Sequence, residues 1–209
     1  MRRVDARVIG AVTLATLALG SLAACTPMDD EPVPAPTVVW ASAAPQGPLE
    51  ADPWVVAVRA SLEAQAIAMN RNDFSLSELT TTTGYDLRSR LYGAARDRVT
   101  NSGGTEILPG PLPFAPVEVT GGPDEENTSV RGCVAERWAS EAGTAPAAPG
   151  ARGIEYRLEQ VDGARIVTST VNLPELDCSN VELAVALFDP LPEPSTVDDP
   201  EQIVRPTRD

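Results

Sequence analysis

Apolar residues recur along the middle of the chain, first at helical spacing and then at strand spacing. Asp52-Pro53 favours a helix start, because aspartate caps free amides and proline suits the first helical position. The apolar period that follows predicts a helix to about Asn70, a polar loop or short turns at 71–83 and a second helix over 85–100. Glycines at Asn101-Ser102-Gly103-Gly104 are expected to end the second helix. The predicted inward faces comprise Trp54, Val55, Val58, Leu62, Ala66 and Met69, and then Leu87, Leu91, Ala94, Ala95 and Val99.

Beyond Gly104 the period changes and predicts strands over Phe114–Thr120 and 128–138, with a polar loop at 121–127. Farther on, apolar and charged residues alternate on both sides of Asp162-Gly163, a dipeptide that favours a two-residue type I′ hairpin turn. That turn predicts four pairs: Val161 with Ala164, Leu158 with Val167, Tyr156 with Ser169, and Ile154 with Val171. Helices followed by an antiparallel meander indicate an α+β domain with the helices on one sheet face. Residues 181–188 fit a strand or a helix equally well.

The N-terminus has the features of an export signal. Three arginines at positions 2, 3 and 7 precede an apolar run at 8–19, which is too short to span a bilayer but fits a signal-peptide core. The sequence Ser21-Leu22-Ala23-Ala24-Cys25 resembles the lipobox of bacterial lipoproteins. The resemblance implies removal of residues 1–24, lipid on the Cys25 thiol and acylation of its amine. A free or buried cysteine is the alternative.

The mature chain divides by composition into three parts. Residues 25–51 hold six prolines and lack an apolar period, which predicts a semi-stiff stalk behind the lipidated cysteine. Within it, the apolar residues at 38–40 are an exception that could pack on the domain or on a partner. Residues 52–188 form the expected globular domain. Five prolines and six acidic residues at 189–209 predict a disordered acidic tail.

Charge narrows the choice of partners. The 209 residues include 30 acidic and 16 basic side chains, all of the latter arginine, for a net charge of −14. Removal of residues 1–24 takes away three arginines and Asp5, leaving 13 basic against 29 acidic residues, or −16. Such a chain is repelled by nucleic acid and by anionic headgroups, so lipid chains must hold it at the membrane. With no histidine, the chain lacks Ser-His-Asp and Cys-His catalytic systems, and we expect no metal or cofactor.

The three cysteines also bear on location. If Cys25 carries lipid, Cys133 and Cys178 remain as a pair in an oxidising compartment, and we expect a disulfide between them. Two buried thiols are the alternative. A redox-active pair is disfavoured, because there is no CxxC spacing and no histidine or lysine to lower a thiol pKa.

Taken together, the chain resembles lipoproteins of high-GC Gram-positive bacteria with one small α+β domain similar to the NTF2-like, or cystatin-like cone, fold. The resemblance rests on Leu22-Ala23-Ala24-Cys25, Gly132-Cys133-Val134, Asp177-Cys178 and Ala186-Leu187-Phe188-Asp189-Pro190. It implies two N-terminal helices packed on a curved antiparallel meander, with a possible concave pocket. It implies no activity, because this fold carries enzymes, binding modules and scaffolds alike.

Candidate chemistry is sparse. Enzymes of the resembled fold usually rely on a buried carboxylate, often beside tyrosine or histidine, so Tyr85, Asp86, Tyr92 and Tyr156 are the candidate pocket residues. An acid at a helix start, such as Asp86, is more often a cap, and an inward tyrosine such as Tyr156 is more often core. We therefore expect a membrane-anchored, non-enzymatic module on the outer face of the cell membrane. It would bind an envelope protein or a small ligand; the alternative is a small isomerase or hydrolase.

Overall fold

The computed structural model describes residues 36–102, 106–122, 124–140 and 150–208. The expected signal peptide, Cys25, the first part of the stalk and the glycine helix stop at 103–104 lie outside these ranges. Within them no helix has both the length and the apolar character needed to cross a membrane. The elements, in chain order, are β1 (Thr37–Trp40), α1 (Pro53–Arg71), α2 (Ser77–Thr80), α3 (Tyr85–Ser102), β2 (Phe114–Thr120), β3 (Asn127–Ala135), β4 (Ala151–Val161), β5 (Ala164–Asn172), β6 (Ala186–Asp189) and a 3₁₀ helix (Pro200–Gln202). The protein is thus α+β, as predicted.

Both long helices occur where the sequence predicts them. At the start of α1, the Asp52 carboxylate accepts a hydrogen bond from the Trp54 amide at 2.8 Å, and Pro53 takes the first position. In α3 the prediction for Ala94 is wrong, because this residue is exposed. The buried stripe of α3 runs through Arg88, Ala95 and Val99, which leaves Ala94 beyond its margin.

Four strands form an antiparallel meander in the order β2-β3-β4-β5. The bounds of β2 match the prediction, whereas β3 ends at Ala135 instead of continuing to 138. Trp138 lies beyond the strand, buried, and its indole nitrogen donates to the Gly110 carbonyl at 2.8 Å. At the hairpin, Asp162 and Gly163 have φ of 50° and 82°, the positive angles that a type I′ turn requires.

The hairpin register is correct near the turn and wrong farther from it. Val161 pairs with Ala164 and Leu158 with Val167, but then the register shifts. Beyond the shift, Tyr156 pairs with Thr170 and Ile154 with Asn172. The irregularity coincides with a second partner of β5, since the Val167 amide donates to the Thr82 carbonyl and the Gly84 amide to the Val167 carbonyl. A pattern of alternating residues contains no information about that contact.

Buried side chains of α1, α3 and the meander form the main hydrophobic cluster. Its members are Trp54, Val55, Val58, Leu62, Leu87, Phe114, Val130, Val134, Ile154, Tyr156, Leu158 and Val167. A second cluster joins the three helices to the C-terminal segment through Ala64, Ala68, Phe74, Leu79, Ala95, Val99 and Ile203. The helices therefore bury their apolar faces partly on the sheet and partly on one another.

The C-terminal segment differs from the expected disordered tail. Ile203 is buried in the second cluster, and the Val204 amide and carbonyl bond to the Asn72 carbonyl and the Phe74 amide at 2.9 and 3.1 Å. Glu201 pairs with Arg96 at 2.6 Å. The proline and acidic content of this segment does not predict its docking, because the segment is held on the helices by one isoleucine and a short backbone pairing.

Residues 36–41, assigned to the stalk by composition, belong to the folded unit instead. β1 pairs antiparallel with β6 as a separate two-stranded ribbon, with Thr37 opposite Asp189 and Trp40 opposite Ala186. Of the two possibilities open for residues 38–40, packing on the domain is the one observed. The same pairing decides the open question at 181–188, where only the last residues enter a strand.

The predicted disulfide is confirmed. Cys133 in β3 is bonded to Cys178, in the segment between β5 and β6, and their Cα atoms are 5.8 Å apart. Both residues are buried. The bond links the segment between β5 and β6 covalently to the sheet.

Candidate functional site

A small, partly enclosed concavity, which we call the ribbon cleft, lies where the β1–β6 ribbon meets α1 and the segment leading into β2. It has a volume of about 60 Å³. Its walls are Val38, Trp40, Arg59, Leu62, Glu63, Pro111, Leu112, Pro113, Ala184 and Ala186. Since one water needs about 10–15 Å³ on this measure, the cleft has room for a few waters or one small branched apolar group.

Arg59 organises the cleft. Its Nε and Nη2 atoms donate to the two carboxylate oxygens of Glu50 at 2.8 Å each, and Nη2 also donates to the Phe114 carbonyl at 3.2 Å. The guanidinium carbon lies 5.9 Å from the Trp40 ring centre and 5.6 Å from that of Phe114, within cation–π range. The bidentate pair with Glu50 offsets the arginine charge, and the contacts with Trp40 and Phe114 connect α1 to β1 and β2.

Glu63 supplies the one carboxylate in the cleft wall. It lies one helical turn after Arg59 on the same side of α1. The side chain is half-buried, and this burial raises the pKa of Glu63 above its usual value of 4.5. Among the arginines that the structure describes, none forms an ion pair with it. A desolvated, unpaired carboxylate beside an apolar cavity favours a ligand that carries both an apolar group and a positive charge.

Two of the expected pocket residues pack in the hydrophobic clusters, Tyr156 buried and Tyr92 partly buried. Tyr156 is buried in the main cluster, where its ring meets Phe114 edge-on at 5.4 Å, and burial raises the pKa of its hydroxyl. Tyr92 packs edge-on against Phe74 at 5.9 Å, and its hydroxyl accepts a hydrogen bond from Arg96 at 2.9 Å. Each tyrosine therefore belongs to a different cluster.

The other two lie near the start of α3. The guanidinium carbon of Arg208 is 5.0 Å from the Tyr85 ring centre, and hydrogen bonding from Arg208 lowers the pKa of the Tyr85 hydroxyl. Asp86 is exposed in the first turn, a position where a carboxylate favours the helix dipole. An exposed Asp86 is not the buried carboxylate that the enzymatic alternative requires, and the structure does not place the four residues around one cavity.

The sequence reasoning missed Arg59 and Glu63. The available signal was an arginine and a glutamate four residues apart in a helix whose neighbouring positions are mostly apolar. That spacing is common on solvated helix faces, so it does not by itself predict a site. Only the docking of the ribbon, which brings Trp40 beside Arg59, encloses them.

The outer face of the sheet carries another ordered group of charges. Glu155, whose side chain is 9% exposed, accepts hydrogen bonds from Arg131 at 2.8 Å and from Arg157 at 3.0 Å. Hydrogen bonding from Arg131 lowers the pKa of Glu155. The arginines themselves are 44% and 59% exposed, so solvent weakens these pairs, and their role is to cover the sheet.

Comparisons with known proteins give little further guidance. No protein-family model matches the chain, and no curated protein matches it. Among solved structures, the intermembrane space region of the chloroplast protein ARC6 is similar, with 9% identity and a TM-score of 0.35. The match covers 63% of this chain and 99% of that one. A likeness at this level carries no argument about fold or function.

Proposed function

We propose that the protein is a lipoprotein, anchored through Cys25 to the outer face of the cell membrane of a high-GC Gram-positive bacterium. The Cys133–Cys178 disulfide carries this proposal, because such bonds persist in oxidising compartments and are rare in the cytosol. The lipobox-like Leu22-Ala23-Ala24-Cys25 supports it from the sequence side. In this proposal the domain is of the NTF2-like class, which the antiparallel meander and the preceding helices support.

The domain acts as a non-enzymatic binding module, and the ribbon cleft receives its ligand. Binding is favoured over catalysis because Arg59 is engaged by Glu50, which leaves Glu63 as the available charged group. A single carboxylate with no neighbouring base or nucleophile in the cleft wall can attract a cation but has no partner for acid–base chemistry.

The enzymatic alternative, a small isomerase or hydrolase, is favoured by one observation. Burial raises the pKa of Glu63, and an acid tuned in this way can serve in proton transfer. None of the three tyrosines lines the cleft with it. A turnover that Glu63→Gln abolishes while the ligand still binds would favour this alternative.

Lipidation is tested by expressing the full chain in an actinobacterial host fed labelled palmitate. We expect label on the unaltered chain and none on Cys25→Ala, which should leave the membrane fraction. The matched control is Cys133→Ala with Cys178→Ala, which removes the other two cysteines and should keep the label. Label on Cys25→Ala, or its absence from the unaltered chain, would contradict the anchor.

Ligand binding is tested by native mass spectrometry of the exported chain carrying Cys25→Ser. A reproducible extra mass is expected, lost in Ala184→Leu, because the larger side chain fills the cleft. Val117→Leu, at an exposed position on β2, is the matched control and should keep the mass. Extra mass that survives Ala184→Leu would place the ligand elsewhere.

A further inference from the structure

We propose that the ribbon cleft is one side of a peptide-binding site, and that its ligand is an extended, basic segment of another protein. The segment adds as a strand to the free edge of β1, places an apolar side chain in the cleft and sets a lysine or arginine beside Glu63. This inference rests on the proposed binding function and names the class of partner.

The first support is the open edge of β1. The Ala41 amide donates to the Val185 carbonyl at 2.9 Å. Because every second residue of an antiparallel strand forms backbone hydrogen bonds with its partner, the backbone groups of Thr37 and Val39 also bond to β6. The backbone groups of Val38 and Trp40 therefore point away from β6. No strand among the described residues pairs with that edge. On the other side of the ribbon the edge is occupied, since the Phe188 amide donates to the Pro109 carbonyl at 2.9 Å.

The second support is the lack of the usual protection. Exposed edge strands in natural proteins carry charges that discourage pairing with other chains. Residues 33–49, which contain β1, carry no charged side chain, although 22% of the whole chain is charged. An edge of this kind is suited to strand addition, in which main-chain hydrogen bonds provide affinity.

The third support is that the ribbon presents mainly apolar side chains on both sides. Val38 and Trp40 line the cleft, and a wider depression of about 440 Å³, which Trp40 and Asp189 also line, borders the ribbon. Val39 and Leu191 line that depression and are 50% and 44% exposed. Because side chains alternate along a strand, an added segment would contact apolar surface with both sets of its side chains.

Charge decides between partners. Glu63 is a half-buried carboxylate without an ion pair among the described residues, so a cation placed beside it would replace lost solvation. A second copy of this chain could add its own β1, but that strand brings no basic residue, and each proposed mature chain, with 13 basic and 29 acidic residues, carries a net charge of −16. A basic segment of a different protein fits both conditions.

The test begins with selection from a random library of displayed peptides about 12 residues long, against the full exported chain with Cys25→Ser. Selected peptides are synthesised and their affinity is measured by fluorescence anisotropy. We expect enrichment of alternating apolar residues with a lysine or arginine. Each peptide is also made in two N-methylated series, one with methyl groups on the odd-numbered amides and the other with methyl groups on the even-numbered amides. Strand addition predicts that methylation in one series abolishes binding and in the other is tolerated.

Protein variants supply the second readout. Glu63→Gln should weaken binding roughly tenfold. Glu159→Gln, at an exposed carboxylate of β4, is the matched control and should leave the affinity unchanged. Equal loss in both methylated series, or equal affinity for Glu63→Gln and the unaltered chain, would overturn the proposal.

Two further outcomes would also overturn it and remain distinguishable from failure of the proposed function. No enrichment, together with a small bound mass in native mass spectrometry, would leave a binding module with a different ligand class. A dimer by light scattering that Val38→Pro dissociates would assign the edge to a second copy. Palmitate labelling at Cys25 reports on the anchor independently of either result.

Discussion

Removal of the Cys133–Cys178 bond is the perturbation whose magnitude follows most directly from the structure. The two cysteines are 45 residues apart in sequence. In the chain-entropy description of cross-links, closing a loop of that length lowers the conformational entropy of the unfolded chain and thereby stabilises the folded state by about 4 kcal/mol at 25 °C. Small domains are stable by about 5–15 kcal/mol in total, so Cys133→Ala with Cys178→Ala should lose a large share of the stability.

The bond has a second, local effect in the folded state. Cys178 belongs to the segment that leaves β5 and crosses the outer face of the sheet. At Gly153 of β4 the backbone of Leu173 passes so close that a Cβ atom there would overlap its carbonyl oxygen. Without the disulfide this segment loses one of its attachments, and we expect amide exchange to rise there before it rises in the meander.

The assay is urea unfolding followed by tryptophan fluorescence, since Trp54 and Trp138 are both buried. With a slope of about 2 kcal/mol per molar urea, the midpoint of the double variant should fall by about 2 M. The matched control, Cys25→Ser, leaves this disulfide in place and should unfold with the unaltered chain. A loss below about 1 kcal/mol would refute the reasoning, because the loop-length account would then fail by a factor of four.

Three further predictions use the same unfolding assay. Ile203→Ala should lower the free energy of unfolding by about 2–4 kcal/mol, because it leaves a cavity at a buried position in the C-terminal segment. The control Val204→Ala, at the exposed neighbouring position, should change it by no more than about 0.5 kcal/mol. Equal effects of the two variants would contradict the docking of this segment. Gly132→Ala should lower the free energy of unfolding by about 2 kcal/mol or more, because the new Cβ atom would overlap the Ala115 carbonyl. The control Gly93→Ala, in α3 with open space around it, should raise the free energy of unfolding by about 0.5–1 kcal/mol. A Gly132→Ala variant of unchanged stability would show that the strands can move apart. Burial raises the pKa of Glu63, so protonation of this carboxyl favours the folded state; that stabilisation is fully present below the unfolded pKa and is lost as pH rises through the folded pKa. Glu63→Gln should therefore be as stable as the unaltered chain near about pH 3 and more stable than it toward about pH 8. A difference in stability that does not grow with pH would contradict this.

Sequence reasoning succeeded where the determinant is local. The Asp52-Pro53 helix start and the Asp162-Gly163 turn each depend on backbone geometry within a few residues, and both occur as predicted. The α+β class followed from the change of apolar period, and the disulfide from counting cysteines under an export hypothesis. The helix start and the turn need no information about distant parts of the chain, whereas the disulfide joins residues 45 apart and was predicted from the number of cysteines.

Tertiary structure decided most of the remainder, because those features depend on partners far away in sequence. Thr37 donates to the carbonyl of Asp189, 152 residues later, and this ribbon turns a supposed stalk into a wall of the candidate site. The bonds of Val167 to the segment before α3 accompany the shift in hairpin register. Ile203 shows the same physics, since its burial depends on a gap between helices that no local pattern describes. The amino-acid sequence by itself thus determined the two long helices and the strands of the meander, whereas long-range packing determined that β1 pairs with β6, where the C-terminal segment docks and which side chains enclose the ribbon cleft.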